Sequence, residues 1–240
     1  MPNPTAAMLV IGDEILSGRT RDSNLHFLAR ELTRVGIDLR EARVVGDRAE
    51  AIGRAVRELS SAFDHLFTSG GIGPTHDDIT ADAVAAALGL PLAVREDALA
   101  ALRAHYDRMG VEMNEARLRM ARVPEGAVLI DNPISAAPGF SVGNVHVMAG
   151  VPQIFEAMVA GLLPRLTGGT PLLSQSLRIL RGEGEIAGPL AALAAEYPDL
   201  AIGSYPFNQA GSFGAHVVIR GTDGARVGEA MARLAALFPA

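Results

Sequence analysis

The sequence predicts an α/β protein: three layers, α/β/α, around a mostly parallel sheet, followed by a small C-terminal α+β domain. Two observations carry this. Residues 6–89 alternate short apolar runs with segments of helical period, in the order β-α-β-α-β-loop-α, and parallel strands with right-handed crossovers are the simplest way to connect that order. Further on, Thr167-Gly168-Gly169-Thr170-Pro171 is the strongest linker signal in the chain. It divides residues 1–168 from a βαββα unit over residues 171–240.

The elements follow in order. Ala6 to Ile11 is a continuous apolar run, as in a strand buried on both faces. Gly12-Asp13-Glu14 ends it. A helix from about Asp22 places Leu25, Leu28, Ala29 and Leu32 on one side; Asp22 or Ser23 can cap it and Gly36 can end it. Ile37 to Val45 reads as a strand, Ala49 to Leu59 as a helix and His65 to Thr68 as a third strand. After a glycine-rich turn, a helix opens near Ile79 and runs to Gly89. Glu96 to Met109 and Asn114 to Ala121 read as helices. Gly126 to Ile130 and Gly139 to Met148 read as strands, the second folded at Gly143-Asn144, and Pro152 starts a helix. Beyond the linker come a strand (Leu173 to Leu180), a helix (Glu185 to Ala195), two strands (Leu200 to Tyr205, Ala215 to Arg220) and a helix (Ala225 to Leu237). This last unit is small for independent stability. It is expected to pack on the main domain or on a partner subunit, and a homo-oligomer is expected.

Bulk properties narrow the function. Of 240 residues, 49% are hydrophobic and 20% charged, enough to build a core. The absence of cysteine excludes disulfides, thiolate metal sites and cysteine nucleophiles. A formal charge of -6 is not that of a protein with a broad basic surface, so no nucleic-acid partner is expected. No apolar stretch reaches the roughly 18 residues of a membrane span. The start of the chain has no basic region before its apolar run, so it reads as a first strand and not a signal peptide. A cytoplasmic protein with no membrane partner is expected.

Ligands of parallel sheets bind beyond the carboxyl ends of the strands. Three polar or glycine-rich segments fall at those ends: Gly12-Asp13-Glu14, Gly46-Asp47, and Ser69-Gly70-Gly71-Ile72-Gly73-Pro74-Thr75-His76-Asp77-Asp78. They are expected to converge on one crevice. Glycines let main-chain N–H groups approach an anion, so phosphate could be held without a lysine. A plain strand-to-helix turn would use the same glycines. Of the adjacent Asp77 and Asp78, one can cap the following helix. The other, with Asp13, Glu14 or Asp47, could hold a Mg²⁺-like cation that screens phosphate charge. Solvated surface acids are the alternative. His76 could contact a ligand or donate a proton, or lie on the surface. Ser69 and Thr75 offer hydroxyls to a phosphate, with no nearby base to mark a nucleophile. Asn132-Pro133-Ile134-Ser135-Ala136-Ala137-Pro138-Gly139 is a second small-residue loop, and Gly150-Val151-Pro152 opens the last helix of the main domain.

These segments resemble the competence/damage-inducible protein A family of the molybdopterin-binding domain superfamily. The matching stretches are Gly12 to Gly18, Asp22-Ser23-Asn24, Val45-Gly46-Asp47, Thr68 to Thr80, Ala137-Pro138-Gly139-Phe140 and Ala149-Gly150-Val151-Pro152. The resemblance covers the chain to about Arg165 and implies a three-layer α/β fold. Relatives in molybdenum-cofactor synthesis bind molybdopterin, and some adenylylate it with ATP and Mg²⁺; their functional aspartates fall on Asp47 and Asp78. Family members are also linked to metal-dependent cleavage of ADP-ribose, and a related domain of eukaryotic FAD synthase to FAD hydrolysis. The resemblance is to a short form lacking the amidase domain of long members. Ser135-Ala136-Ala137-Pro138-Gly139 departs from the family's Gly-Thr-Ala-Pro-Gly, and Ala149-Gly150-Val151-Pro152 from its Leu-Pro-Gly-Pro-Pro, toward the FAD-synthase branch.

The resulting expectation is a binder of a phosphorylated nucleotide or pterin that hydrolyses a dinucleotide pyrophosphate. Asp47, Asp77 and Asp78 are the expected catalytic residues, with a divalent Mg, Mn or Co ion on Asp47 and Asp78. The expected ligand contacts are Gly12, Asp13, Glu14, Ser69, Gly70, Gly71, Gly73, Pro74, Thr75, His76, Asn132, Ala137, Pro138, Gly139 and Gly150. Non-catalytic molybdopterin or nucleotide binding, and molybdopterin adenylyltransferase activity, are the alternatives.

Overall fold

A computed structural model describes residues 2–209 and 211–239. The chain divides into two compact units, Met1–Gly169 and Thr170–Ala240.

The first unit opens with β1 (Thr5–Ile11), a four-residue helix α1 (Asp13–Leu16), α2 (Asn24–Arg34), β2 (Asp38–Val45), α3 (Ala49–Ala62), β3 (His65–Ser69) and α4 (Thr80–Leu88). Then come β4 (Leu92–Val94), α5 (Glu96–Arg108), α6 (Glu115–Arg119), β5 (Arg122–Pro124), β6 (Val128–Ile130), β7 (Gly139–Val142), β8 (Val145–Met148) and α7 (Pro152–Leu162). Six strands form one sheet in the order β2-β1-β3-β8-β7-β6. The first four are parallel, and β7 turns the sheet antiparallel through its hairpins with β6 and β8.

The apolar run of β1 has a two-sided cause. Ala7, Leu9 and Ile11 pack with Ile52, Val56 and Leu59 of α3 and Val84 of α4. Ala6, Met8 and Val10 pack on the other face with Leu28 and Leu32 of α2 and Phe155 and Met158 of α7. Strand alternation therefore feeds two separate cores, and no position from Ala6 to Ile11 is left for a polar residue. At α2 the Asp22 carboxylate accepts from the Leu25 N–H at 3.0 Å, and Gly36 (φ 71°) follows the last turn.

The structure adds what the pattern did not show. Leu92–Val94 and Arg122–Pro124 pair as a two-stranded antiparallel ribbon. Each strand is three residues long, too short to show alternation before its partner is known. The helix expected over 114–121 is confined to Glu115–Arg119, its first turn closed by Asn114 Oδ1 accepting from Arg117 N at 3.0 Å. Gly12-Asp13-Glu14 ends β1 as expected, and Asp13 at once begins α1.

The second unit holds β9 (Leu173–Ile179), α8 (Glu183–Glu196), β10 (Ala201–Gln209), β11 (Ser212–Gly221) and α9 (Gly224–Leu237). Its antiparallel sheet has the order β10-β11-β9. Strand β10 continues four residues past Tyr205, through Pro206. Proline is tolerated there because β10 is an edge strand.

One buried polar chain crosses the main sheet. The His146 ring, 4% exposed, meets Ser141 Oγ at 2.8 Å through Nδ1 and His65 Nδ1 at 3.2 Å through Nε2, and lies against Phe67. Burial, and then the charge of His65, push its pKa down to about 3, and burial also lowers that of His65. The sign is that of a base kept neutral by the fold. The stability it lends is complete above the unfolded value of 6.5 and is lost as pH falls toward the folded one. Unfolding free energy measured by urea titration is therefore expected to drop by about 1–2 kcal/mol between pH 7 and pH 5. His146→Gln, which keeps a hydrogen-bonding group on Ser141, should flatten that drop. An unchanged slope in this variant would show that the proton is taken up elsewhere.

Candidate functional site

The carboxyl ends of β1, β2, β3 and β8 face the same side of the sheet because these strands are parallel. Their loops are tied by main-chain and buried side-chain bonds. Gly12 N donates to Val45 O at 3.0 Å, and Asp13 N donates to the Asp47 carboxylate at 2.9 Å. Gly70 N donates to Met148 O at 3.1 Å. Asn24, buried at the start of α2, donates to Ser69 Oγ at 2.7 Å and to Gly150 O at 2.8 Å, so one amide group holds two loop ends together.

The glycine turn itself is locked from α4. Thr80 Oγ1, buried, donates to Gly70 O at 2.9 Å, and Thr80 N donates to Gly71 O at 3.0 Å. Gly70 (φ 111°) passes so close to β1 that a Cβ there would lie 2.1 Å from Ile11 O. At Gly71 (φ 69°) a Cβ would lie 2.2 Å from Thr80 Oγ1. Both positions need glycine for conformation and for space. Among the described residues, no group accepts from the N–H of Gly71, Ile72 or Gly73. Main-chain donors left unpaired in this way are what an anion takes up.

Two neighbouring clefts open at this end of the sheet. One, about 570 Å³, is lined by the turn from Gly70 to Pro74, by Asp78, and by Ala137, Gly150 and Pro152; Tyr106, Met120 and Ile154 give it an apolar wall. The other, about 600 Å³, is lined by Asp13, Glu14, Asp47, His76 and Asp77, with Arg19 at its side. Glu14 lines both.

The expected site residues distribute as follows. Glu14, Gly70, Gly71, Gly73, Pro74, Asn132, Ala137 and Gly150 line the glycine cleft, and Asp13, His76, Asp47 and Asp77 the acidic one. Pro138 borders a small recess beside Arg119 and Arg122. Gly12, Ser69, Thr75 and Gly139 line neither large cleft. Gly139 is required by packing, since a Cβ would meet Val147 O at 2.2 Å. Asn132 is spent on its own loop: its amide donates to Ser135 Oγ and Ala137 O, and its oxygen accepts from Ile134 N and Ser135 N.

The expectation for the paired aspartates needs correction. Neither caps α4, whose N-cap position is Ile79 without a side-chain bond. The Asp78 carboxylate turns back to accept from Thr75 N at 2.8 Å and from the Thr75 hydroxyl, closing the loop on itself. Asp47 and Asp78 therefore line different clefts, and the acid brought beside Asp47 is Asp77. Among the described residues, no three carboxylate or imidazole groups converge as a ready cation cage.

The electrostatics differ across the acidic cleft. Burial holds the Asp47 carboxyl above its ordinary value, and the charges of Asp13, Glu14 and Asp77 add to this against the hydrogen bond from Asp13 N. The Thr75 side chain keeps Asp77 below the ordinary value. His76, 97% exposed in its side chain, stands 3.9 Å from Asp77.

Asn24, Thr80, Tyr106, Met120 and Ile154 were not among the expected contacts. Asn24 and Thr80 stand inside stretches that carry the family resemblance, so their presence was visible and their role was not. Tyr106 and Met120 come from the α5–α6 segment, and nothing local marks them as cleft residues.

Comparison with known proteins identifies relatives of both parts of the chain. A family model described as "Probable molybdopterin binding domain" matches residues 7–168, and one described as "FAD synthase, middle domain" matches residues 171–240. A protein of Caldivirga maquilingensis is 38% identical over 165 residues, 67% of this chain and 64% of its own length. A protein of Thermococcus kodakarensis is 38% identical over 214 residues, 84% of this chain and 85% of its own. The crystal structure of CinA, of unknown function, from Thermoplasma acidophilum superposes with a TM-score of 0.63 at 35% identity, over 67% of this chain and 98% of that one.

Fold and family model together define a molybdopterin-binding-type α/β domain, followed by a unit of the kind found in the middle of FAD synthase. The chain belongs to the molybdopterin-binding-domain family, within which it is CinA-like.

Two substitutions test the construction of the site. Gly71→Ala places a methyl group on Thr80 Oγ1 at a left-handed position, and should cost about 2 kcal/mol or more in a urea titration. Asp47→Asn removes an acid whose folded pKa is raised. Such a group favours the fold below its unfolded value of 3.8 and opposes it once pH passes the folded value. The variant should therefore melt about 1–2 °C higher than the parent at pH 7, with no gain near pH 3.5. A lower melting temperature at pH 7 would mean that the hydrogen bond from Asp13 outweighs the crowding of charge.

Proposed function

We propose that the glycine cleft binds the phosphate of a nucleotide or pterin, and that the protein hydrolyses the pyrophosphate of a dinucleotide such as ADP-ribose or FAD with a divalent cation. The observation that carries this is the set of unpaired main-chain N–H groups at Gly71, Ile72 and Gly73, opening on a cleft that shares Glu14 with an acid-lined neighbour. Main-chain N–H groups free to donate stabilise the charge that grows on phosphate oxygens during substitution at phosphorus. The apolar wall of Tyr106, Met120 and Ile154 suits the ring system of such a ligand.

The donor set fits a hydrated ion. Mg²⁺ keeps several waters and takes only one or two carboxylates, which Asp47 and Asp77 supply. A cation there would relieve the crowding that raises Asp47, neutralise phosphate charge and polarise the anhydride. In the reaction, water oxygen bonds to phosphorus as the bridging P–O bond breaks, and two monophosphates result. The Asp47 carboxylate, in the acidic cleft, takes the proton from the attacking water. Asp78 serves by holding Thr75 and with it the shape of the turn.

A second reading is a carrier that binds without turnover. It is favoured by the engagement of the Asp78 carboxylate with Thr75, which leaves that acid structural. Product chromatography separates the two. ADP-ribose and FAD, each with Mg²⁺, Mn²⁺ or Co²⁺, should release AMP, and Asp47→Asn should slow release about 100-fold or more. Calorimetric binding of FAD, ADP-ribose or molybdopterin with no product would select the carrier. Neither binding nor product with any of them would refute both.

A further inference from the structure

The sheet of the second unit has one face under helices and one face open. Ala215, Val217 and Ile219 of β11 lie in the core with Val227 and Leu234 of α9. Alternation turns His216 and Arg220 to the open side, and register brings Tyr205 and Arg178 beside His216 from the two neighbouring strands.

Two aromatic rings are laid along this face by glycines. A Cβ on Gly203 would come within 3.3 Å of the Tyr205 ring, and one on Gly214 within 3.0 Å of Phe207 Cζ. The Phe207 and His216 ring centroids are 4.9 Å apart, and the Arg178 guanidinium stands 4.5 Å from the Phe207 centroid. Arg220 donates to the Tyr205 hydroxyl at 3.2 Å. Tyr205 is 48% exposed.

Charge in this unit is sorted between the two sides. Its carboxylates lie on α8, on α9 or in the turns that precede α9 and follow α8, and none lies on the open face. Arg226 pairs with Asp199 and Glu229, Arg233 pairs with Glu196, and Arg181 covers Phe238. Among the described residues, Arg178 and Arg220 have no carboxylate partner, and both belong to the open face.

We propose that this face binds single-stranded nucleic acid, with the exposed ring of Tyr205 taking a base, Phe207 seating the Arg178 guanidinium, and Arg178 and Arg220 taking phosphates. Flat aromatic side chains interleaved with guanidinium groups that have no carboxylate partner suit unstacked bases on a phosphate backbone, and a duplex does not offer its base faces. A pleated open surface suits a polymer that spreads its contacts. A free nucleotide calls for a concave site that encloses it. The acidic total charge does not oppose this locally, because the acids of the unit are on its other side. The proposal is independent of the cleft in the first unit.

The test is fluorescence anisotropy of the full chain with a labelled pyrimidine strand of about ten nucleotides. Saturable binding at low salt is expected, with log K falling against log salt at a slope of about −1.4, the value for two phosphate contacts on a single strand. Arg178→Ala should cut the slope to about −0.7. Tyr205→Ala should weaken binding about five-fold or more at unchanged slope, while Tyr205→Phe keeps it. Both positions are exposed, and circular dichroism confirms that each variant is folded. The proposal is overturned by absence of binding at low salt, by equal affinity for the matching duplex, by binding that survives both Tyr205→Ala and Arg178→Ala, or by displacement with AMP at equal nucleotide concentration, which would mark a mononucleotide site.

Discussion

The close passage of main chain at Gly70 is the constraint on which the candidate site rests. Three segments meet there within contact distance: the end of β1 at Ile11, the loop after β8 at Gly150, and the start of α4 at Thr80. A side chain at Gly70 would drive into Ile11 O, and one at Gly150, whose Cβ would lie 3.2 Å from Gly70 Cα, would require the two loops to part by a few tenths of an ångström. The buried hydrogen bonds of Asn24 and Thr80 then fix what the glycines permit. In this arrangement glycine admits the close approach and a buried polar side chain prevents slippage. The same bonds hold the turn in which the N–H groups of Gly71, Ile72 and Gly73 are left without partners.

The acidic cleft is the counterpart of that rigidity. Parallel strands bring Asp13, Glu14 and Asp47 to one end of the sheet, and the turn adds Asp77. Burial raises the cost of ionising Asp47, and the like charges gathered there by topology add to it. Here the contrast within the pair at the turn is informative. Asp78 accepts from the Thr75 N–H and hydroxyl and lines the glycine cleft, while Asp77, its pKa lowered by the Thr75 side chain, lines the acidic one, so adjacent residues of one type face different clefts.

The fold was legible wherever a pattern needed no partner to be seen. Two-sided burial wrote β1 as an unbroken apolar run, and the helical period of α2 and α3 was equally direct. The three-residue strands β4 and β5 were invisible because their only signature is a pairing across the α5–α6 segment. Strand β10 looked shorter than it is because Pro206 reads as a stop unless its edge position is known. The site behaved in the same way. Conformational glycines could be read, since their role lies in their own backbone. The cap expected of Asp77 or Asp78 could not, because choosing between helix N–H groups and Thr75 depends on the path of the turn in space. Tyr106 was unreadable for the same reason.

Net charge shows how an average can conceal the relevant quantity. A formal total of -6 removes the possibility of a broadly basic molecule, and that inference stands. It does not determine how charges divide between the faces of a unit in which every acid sits on or beside a helix. Strand alternation performs that division in the second unit, since residues two apart share a face and nearest neighbours do not. Arginines at positions 178 and 220 fall on the open side by register alone, and glycines at 203 and 214 leave the rings room to lie along the same surface. Composition therefore bounds what a surface can be as a whole, and register decides what any one face presents.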